Sequence, residues 1–379
     1  MAILQDVDLE RLRQRTSEKW RAYPPDVLPS FVAEMDFGLA PVVRDALSAA
    51  VALDDCGYIH PQRVAEAFVD YAARRWGLRV AAEDVVPLPD VVTGLGWAVQ
   101  IAAARGEGVA ITPPVYPPFF STVRQHERVV VEAPMSRSPQ GVYALDLHTL
   151  EAALQRGARA ILLCSPHNPT GTLPSRDELA AVAALAERHG ALVVSDEIWA
   201  PLTLPGETHV PFASMGDGLT LMSASKAFNL AGLKCAVLFA HGEAGRRALR
   251  GIPMEARWAT GQLGATATLA AWRHGEAWLA DVLETLDHNR RSFERLRAEH
   301  LPALRWVAPR AGYLGWLDCR ALELGDDPAR VFLERGRVAL SRGPTFGAEG
   351  RGFARVNPGT SPAVLDEIVR HLVSSLSPV

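Results

Sequence analysis

The sequence predicts an α/β protein: a large domain on a mostly parallel sheet, followed by a smaller C-terminal α/β domain. Three observations predict it. Between about residues 45 and 275, short β-branched or apolar runs alternate with longer segments of helical period, as buried strands alternate with the helices that cover them. Beyond that point the pattern changes to one long, charged amphipathic stretch, Ala277 to His300, followed by short apolar runs. The most apolar stretches, such as Leu179 to Ala186, fall far short of the roughly 20 residues that cross a bilayer.

In chain order, residues 1–44 hold two helix-like turns and an extended Phe31 to Phe37, expected to pack on the small domain or on a second subunit. Strands are expected at Gly108 to Thr112, Val129 to Ala133, Ala160 to Ser165, Ala191 to Asp196, Leu219 to Ser223 and Cys235 to Ala240. A helix between two of them opens at Ser175 with Glu178 three residues on, a capping box in which each side chain satisfies an orphan backbone donor. The large domain is expected over 45–275 and the small one over 276–379. In the latter, the helix Ala277 to His300 leads to Tyr313-Leu314-Gly315-Trp316-Leu317-Asp318, another helix and a final strand near Phe353 to Asn357.

Composition narrows the function. Over 379 residues, 39 basic side chains face 43 acidic ones, a net charge of -4, so neither nucleic acid nor an anionic membrane is an expected partner. Hydrophobic residues at 48% and charged ones at 22% are those of an ordinary globular chain, not a disordered one. The four cysteines, Cys56, Cys164, Cys235 and Cys319, form no CxxC pair, which argues against a zinc site or a disulfide framework. A cytoplasmic location is expected, and the start Met1 to Asp8 lacks the basic and apolar regions of a secretory signal.

Four features stand at expected strand ends, where open α/β sheets bind ligands. Ser165-Pro166-His167-Asn168-Pro169-Thr170-Gly171 reads as a plain turn, or as a rigid loop that offers the Asn168 amide as a donor. Asp196 closes an apolar run and is either a helix cap or a carboxylate partner for a protonated heteroaromatic nitrogen. Lys226 follows an apolar strand within Ser223-Ala224-Ser225-Lys226; a lone lysine is usually solvated, but one withdrawn from water suits Schiff-base chemistry. Arg355 alternates with apolar residues and is an edge charge or a bidentate carboxylate clamp.

Taken together, the order and spacing of Asn168, Asp196, Lys226 and Arg355 resemble the fold type I pyridoxal-phosphate enzymes of the class I/II aminotransferase family. Within it the likeness is greatest to the cystathionine β-lyase branch, the carbon–sulfur lyases of the MalY/PatB type. Ala33-Glu34-Met35-Asp36-Phe37, Gly57-Tyr58, Asp196-Glu197-Ile198, Ser225-Lys226-Ala227-Phe228-Asn229 and Gly347-Ala348-Glu349-Gly350-Arg351-Gly352-Phe353 carry that likeness across the chain. The resemblance implies a seven-stranded, aspartate-aminotransferase-like large domain that binds pyridoxal 5'-phosphate. It implies that Lys226 joins the cofactor, Asp196 pairs with its pyridine nitrogen, Asn168 bonds its phenolate oxygen and Tyr116 stacks on its ring. The backbone at Val91 and Val92, with Ser223, Ser225 and Lys234, would hold the phosphate. Tyr58 would reach it from the other subunit of a homodimer. Arg355 would grip the α-carboxylate of an amino-acid substrate, with Asp36 and Tyr58 beside it. Tyr116 or Lys226 would protonate the leaving sulfur of a β-lyase. One departure is Trp199, where relatives have tyrosine or histidine; its indole can donate but neither accept nor ionise. The resemblance leaves open an aminotransferase, or a relative that decarboxylates or oxidises an S-cysteinyl intermediate.

Overall fold

The apolar runs of the first two thirds of the chain assemble into one sheet in the computed structural model, which describes residues 8–376. Its strands are β1 (Val85–Leu88), β2 (Gly108–Ile111), β3 (Val129–Glu132), β4 (Ala158–Cys164), β5 (Leu192–Asp196), β6 (Gly218–Met222) and β7 (Ala236–His241). Their spatial order is β1-β7-β6-β5-β4-β2-β3. β2 to β6 run parallel, and β7 lies antiparallel to both neighbours. All six expected strands are present. β1 was not foreseen, because Pro87 within it cannot donate to a ladder; an edge position is where that loss is tolerated, and β1 is an edge strand.

Helices cover both faces because no strand face is polar enough to meet water. On one side Phe68, Tyr71, Phe239 and Trp272 pack at ring distances of 5.0 to 5.8 Å with almost no exposure. The capping box is formed: Ser175 Oγ accepts from the Glu178 N–H at 3.2 Å, and Glu178 Oε2 accepts from the Ser175 N–H at 2.8 Å. It starts α1 (Arg176–His189), which stops at left-handed Gly190.

The long charged stretch is α2 (Glu276–His300). A four-stranded antiparallel sheet follows, made of β8 (Arg305–Trp306), β9 (Gly315–Asp318), β10 (Ser341–Arg342) and β11 (Phe353–Val356), in the order β8-β9-β11-β10. The two N-terminal turns are the short helices Leu9–Leu12 and Glu18–Arg21. The extended Phe31 to Phe37 forms no strand of its own. The strand here is Leu28–Pro29, parallel to Val338–Ala339, whereas the backbone of 31–37 is held largely by side chains, as described below. Among the described residues, no helix is long and apolar enough to cross a membrane and no cluster of three metal-ligating side chains occurs. The reading of Met1 to Val7 as free of a secretory signal lies outside the described residues.

Candidate active site

The carboxyl ends of β4, β5 and β6 point the same way because these strands are parallel and adjacent. The loops that leave them line one cavity of about 420 Å³, closed on its other side by Arg355 of β11. Of the residues expected at the site, Val91, Val92, Tyr116, Asn168, Asp196, Trp199, Ser223, Ser225, Lys226, Lys234 and Arg355 all line it.

Asp196 is the last residue of β5 and nearly fully buried. Its Oδ1 accepts from the Ile198 N–H at 3.1 Å; the next element, Ala200–Leu202, takes no cap from it. Burial pushes its carboxyl up to about 7, with the charge of Glu197 adding and the Ile198 N–H and Lys226 opposing. Glu197 points away, accepting from Ser195 Oγ at 3.0 Å and the Phe212 N–H at 2.8 Å, with His209 Nε2 at 3.0 Å.

Lys226 is not a surface lysine: its open side is the cavity. Its Nζ donates to the Ala33 carbonyl at 3.0 Å, an oxygen that also accepts from the Tyr313 hydroxyl at 3.0 Å. Withdrawal from water lowers its amine to about 8, with Arg355 and Lys234 assisting and Asp196 and Glu34 opposing. About a tenth of the amine is therefore neutral at pH 7, far more than for an ordinary lysine, and the neutral form is what a nucleophile or base must be.

Arg355, 6% exposed, donates through Nη1 to Asn168 Oδ1 at 3.0 Å and through Nη2 to the Phe31 carbonyl at 2.8 Å and Ser341 Oγ at 3.0 Å. Its Nε is buried without a partner, a donor waiting for an acceptor. Burial lowers its guanidinium to about 10, which leaves it cationic. Because arginine only donates, the bond fixes Asn168 with its oxygen toward Arg355 and its amide nitrogen free for the cavity. The Asn168 loop is stiffened by the Gly171 N–H bonding the His167 carbonyl at 2.8 Å. Gly171 has φ of +67°, and a Cβ there would lie 2.3 Å from Pro309.

At the far end, the helix Val91–Ala102 points its N-terminus into the cavity. Asp90 caps it, accepting from the Thr93 N–H at 2.8 Å and from Lys234 Nζ at 3.0 Å. The Val91 and Val92 amides have no intrahelical acceptor, so the helix start favours an anion. Tyr116 keeps its proton, burial foremost and then the charge of Asp196 raising its hydroxyl. Trp199 packs edge-on against Tyr313 at 4.9 Å.

Two expected residues are elsewhere. Asp36 does not line the cavity; the correction is that it forms a buried ion pair with Lys19 at 2.8 Å and accepts from Trp20 Nε1 at 3.2 Å. Both oxygens of this carboxylate are engaged by side chains of the N-terminal segment, away from the cavity. Tyr58 is 87% exposed and does not line this chain's own cavity. Ala33, Ser341 and Tyr313 were missed as site residues: a backbone carbonyl carries no sequence signal, and the other two matter only through chain crossings.

The family model described as aminotransferase class I and II matches residues 32–372. The chain belongs to that family. Among its relatives, "Cystathionine beta-lyase PatB" of Bacillus subtilis is 35% identical over 93% of each chain. "Cystathionine beta-lyase" of Corynebacterium glutamicum is 34% identical over 97% of this chain and 99% of its own length. The PLP-bound C-S lyase of Staphylococcus hominis has the same fold, with a TM-score of 0.92 and 25% identity over 99% of both chains. The expected family and MalY/PatB branch are thereby borne out, as is the aspartate-aminotransferase-like fold.

Proposed function

We propose that this chain is a pyridoxal-phosphate-dependent carbon–sulfur β-lyase: an L-cysteine S-conjugate and water give a thiol, pyruvate and ammonia. The observation that carries the chemistry is Lys226, with its amine lowered to about 8, in one cavity with Asp196, Asn168 and Arg355. The relatives named cystathionine β-lyase support the choice of branch.

The residues present fit the cofactor. Two unpartnered amides at a helix N-terminus with Ser223, Ser225 and Lys234 suit its phosphate, the free Asn168 amide its phenolate oxygen, and Asp196 its pyridine nitrogen. When bound, pyridoxal 5'-phosphate supplies an electron sink for the pair left at the substrate's Cα. Arg355 holds the α-carboxylate with its unspent donors, and the oxygens of Phe31, Ser341 and Asn168 fix its plane. Lys226, neutral in part, takes the Cα proton. Tyr116, still protonated, or Lys226 gives a proton to the departing sulfur. Trp199 serves as a donor only and stiffens the wall.

We further propose that the active unit is a homodimer in which Tyr58 completes the partner's phosphate site. Val51, Leu53, Tyr58, Met254 and Trp258 are all exposed, and their segments are tied by the Tyr58–Gly261 bridge and the bond from Gln262 Nε2 to Asp55 Oδ2 at 2.9 Å. An apolar patch of this kind is what a second copy would cover.

The test incubates purified, cofactor-loaded protein with L-cystathionine or an S-alkyl cysteine in the absence of any 2-oxo acid. Catalytic release of pyruvate and thiol is expected, and Lys226→Ala should lose it while keeping the fold. A single conversion of the cofactor to its amine form, resumed only when an oxo acid is added, would identify an aminotransferase instead.

A further inference from the structure

Asn229 and the 33–37 segment fall outside the roles assigned so far. Behind Lys226, that segment separates two spaces. On one side is the cavity lined by Val32, Ala33 and Lys226; on the other is a second cleft of about 540 Å³ lined by Asp36, Phe37 and Asn229. No strand ladder holds the segment. Asn229 Oδ1 accepts from the Met35 N–H at 3.0 Å and its Nδ2 donates to the Met35 carbonyl at 2.8 Å. Asn357 Nδ2 donates to the Val32 and Glu34 carbonyls at 2.7 and 2.8 Å, and Lys19 bonds the Glu34 carbonyl at 3.1 Å. Besides the bond from Lys226 itself to the Ala33 carbonyl, Asn229 joins the segment to the Lys226 loop, three residues from the lysine. Both amide atoms are spent on one residue's backbone, so the clamp has a single geometry.

We propose that Asn229 is a positioning residue that holds residues 33–37 as a water-excluding partition behind Lys226, keeping the Ala33 carbonyl against its amine. This rests on the proposed function, since only there does the dryness of Lys226 matter. The charged groups facing Lys226 are Asp196 from β5, Arg355 from β11, Glu34 from the partition and Lys234 beyond the lysine loop; a change at Asn229 removes none of them. What it alters is withdrawal from water, the largest cause of the lowered amine.

The variant follows from the backbone. Asn229 has φ of +58°, where alanine would be strained and glycine is not, so Asn229→Gly removes the clamp alone. Cofactor-free protein is mixed with pyridoxal 5'-phosphate, and the rate of its covalent capture by Lys226 is followed by absorbance across pH. In wild type the profile should turn near pH 8. In Asn229→Gly it should move at least one unit toward the ordinary lysine value of about 10.4, slowing capture at pH 7 about tenfold or more. A variant with a lower unfolding midpoint but the wild-type profile has lost only structure, and that overturns the inference. Should the variant not fold, hydrogen exchange of wild type decides: a Met35 amide exchanging at the rate of an open loop overturns the partition, and protection comparable to the central strands supports it. Wild type that never captures the cofactor overturns the proposed function and this inference with it. Wild-type capture with an unshifted variant overturns this inference alone.

Discussion

Asp196 and Lys226 bring opposite charges into a place that disfavours both, and this makes the cofactor-free protein pH-sensitive. Between 3.8 and about 7 the native state holds a proton on Asp196 that the unfolded chain has released. Stability therefore falls as pH rises through that window. Between about 8 and 10.5 the unfolded chain holds a proton that native Lys226 has released, so there stability rises with pH. The expected outcome is a minimum between about pH 7 and 8 in urea-unfolding free energy. Asp196→Asn should flatten the acid limb, a gain on the order of a few kcal/mol at pH 7; an unchanged limb would mean that Asp196 is not the group responsible. The same site chemistry was partly legible in the sequence. A lysine among small hydroxyl residues at a strand end pointed to Lys226, and the arginine alternating with apolar residues pointed to Arg355. Asp36 misled because its pairing with Lys19 depends on how the N-terminal segment folds back, which no local pattern encodes.

At the scale of elements, periodicity located the strands that lead to Asn168, Asp196 and Lys226, since burial on both faces demands continuous apolar runs. β1 escaped because Pro87 argues against a strand until its edge position is known. The capping box was visible because it is local: Ser175 and Glu178 are three residues apart. Ser175→Ala should cost about 1 kcal/mol of global stability and leave turnover unchanged, as α1 does not line the cavity; thermal unfolding and a steady-state assay check both. The 31–37 segment shows the opposite case. Its sequence indicates an extended segment but not what holds it: the backbone is held by Asn229, Asn357, Arg355 and Ser341, partners that lie about 200 to 330 residues away.

For the whole molecule, the proposed dimer makes each site composite, with Lys226 from one subunit and Tyr58 from the other. Mixing inactive Lys226→Ala with weakened Tyr58→Ala protein, after dissociation and reassembly, should create hybrids with one intact site. Activity should then reach about a quarter of wild type if pairing is random. Activity no greater than the average of the two separate preparations would rule out the shared site.

By itself, the sequence determined the α/β class, six of the seven strands of the large sheet and the identity of the residues near their ends, because side-chain period, capping and turn chemistry act over a few residues. Only the tertiary structure decided which of them share a cavity, that Asp36 is sealed in an ion pair, and that Ala33 offers its carbonyl to Lys226. Those outcomes depend on burial and on hydrogen bonds between distant segments, and a buried group's charge is set by what surrounds it rather than by its neighbours in the chain.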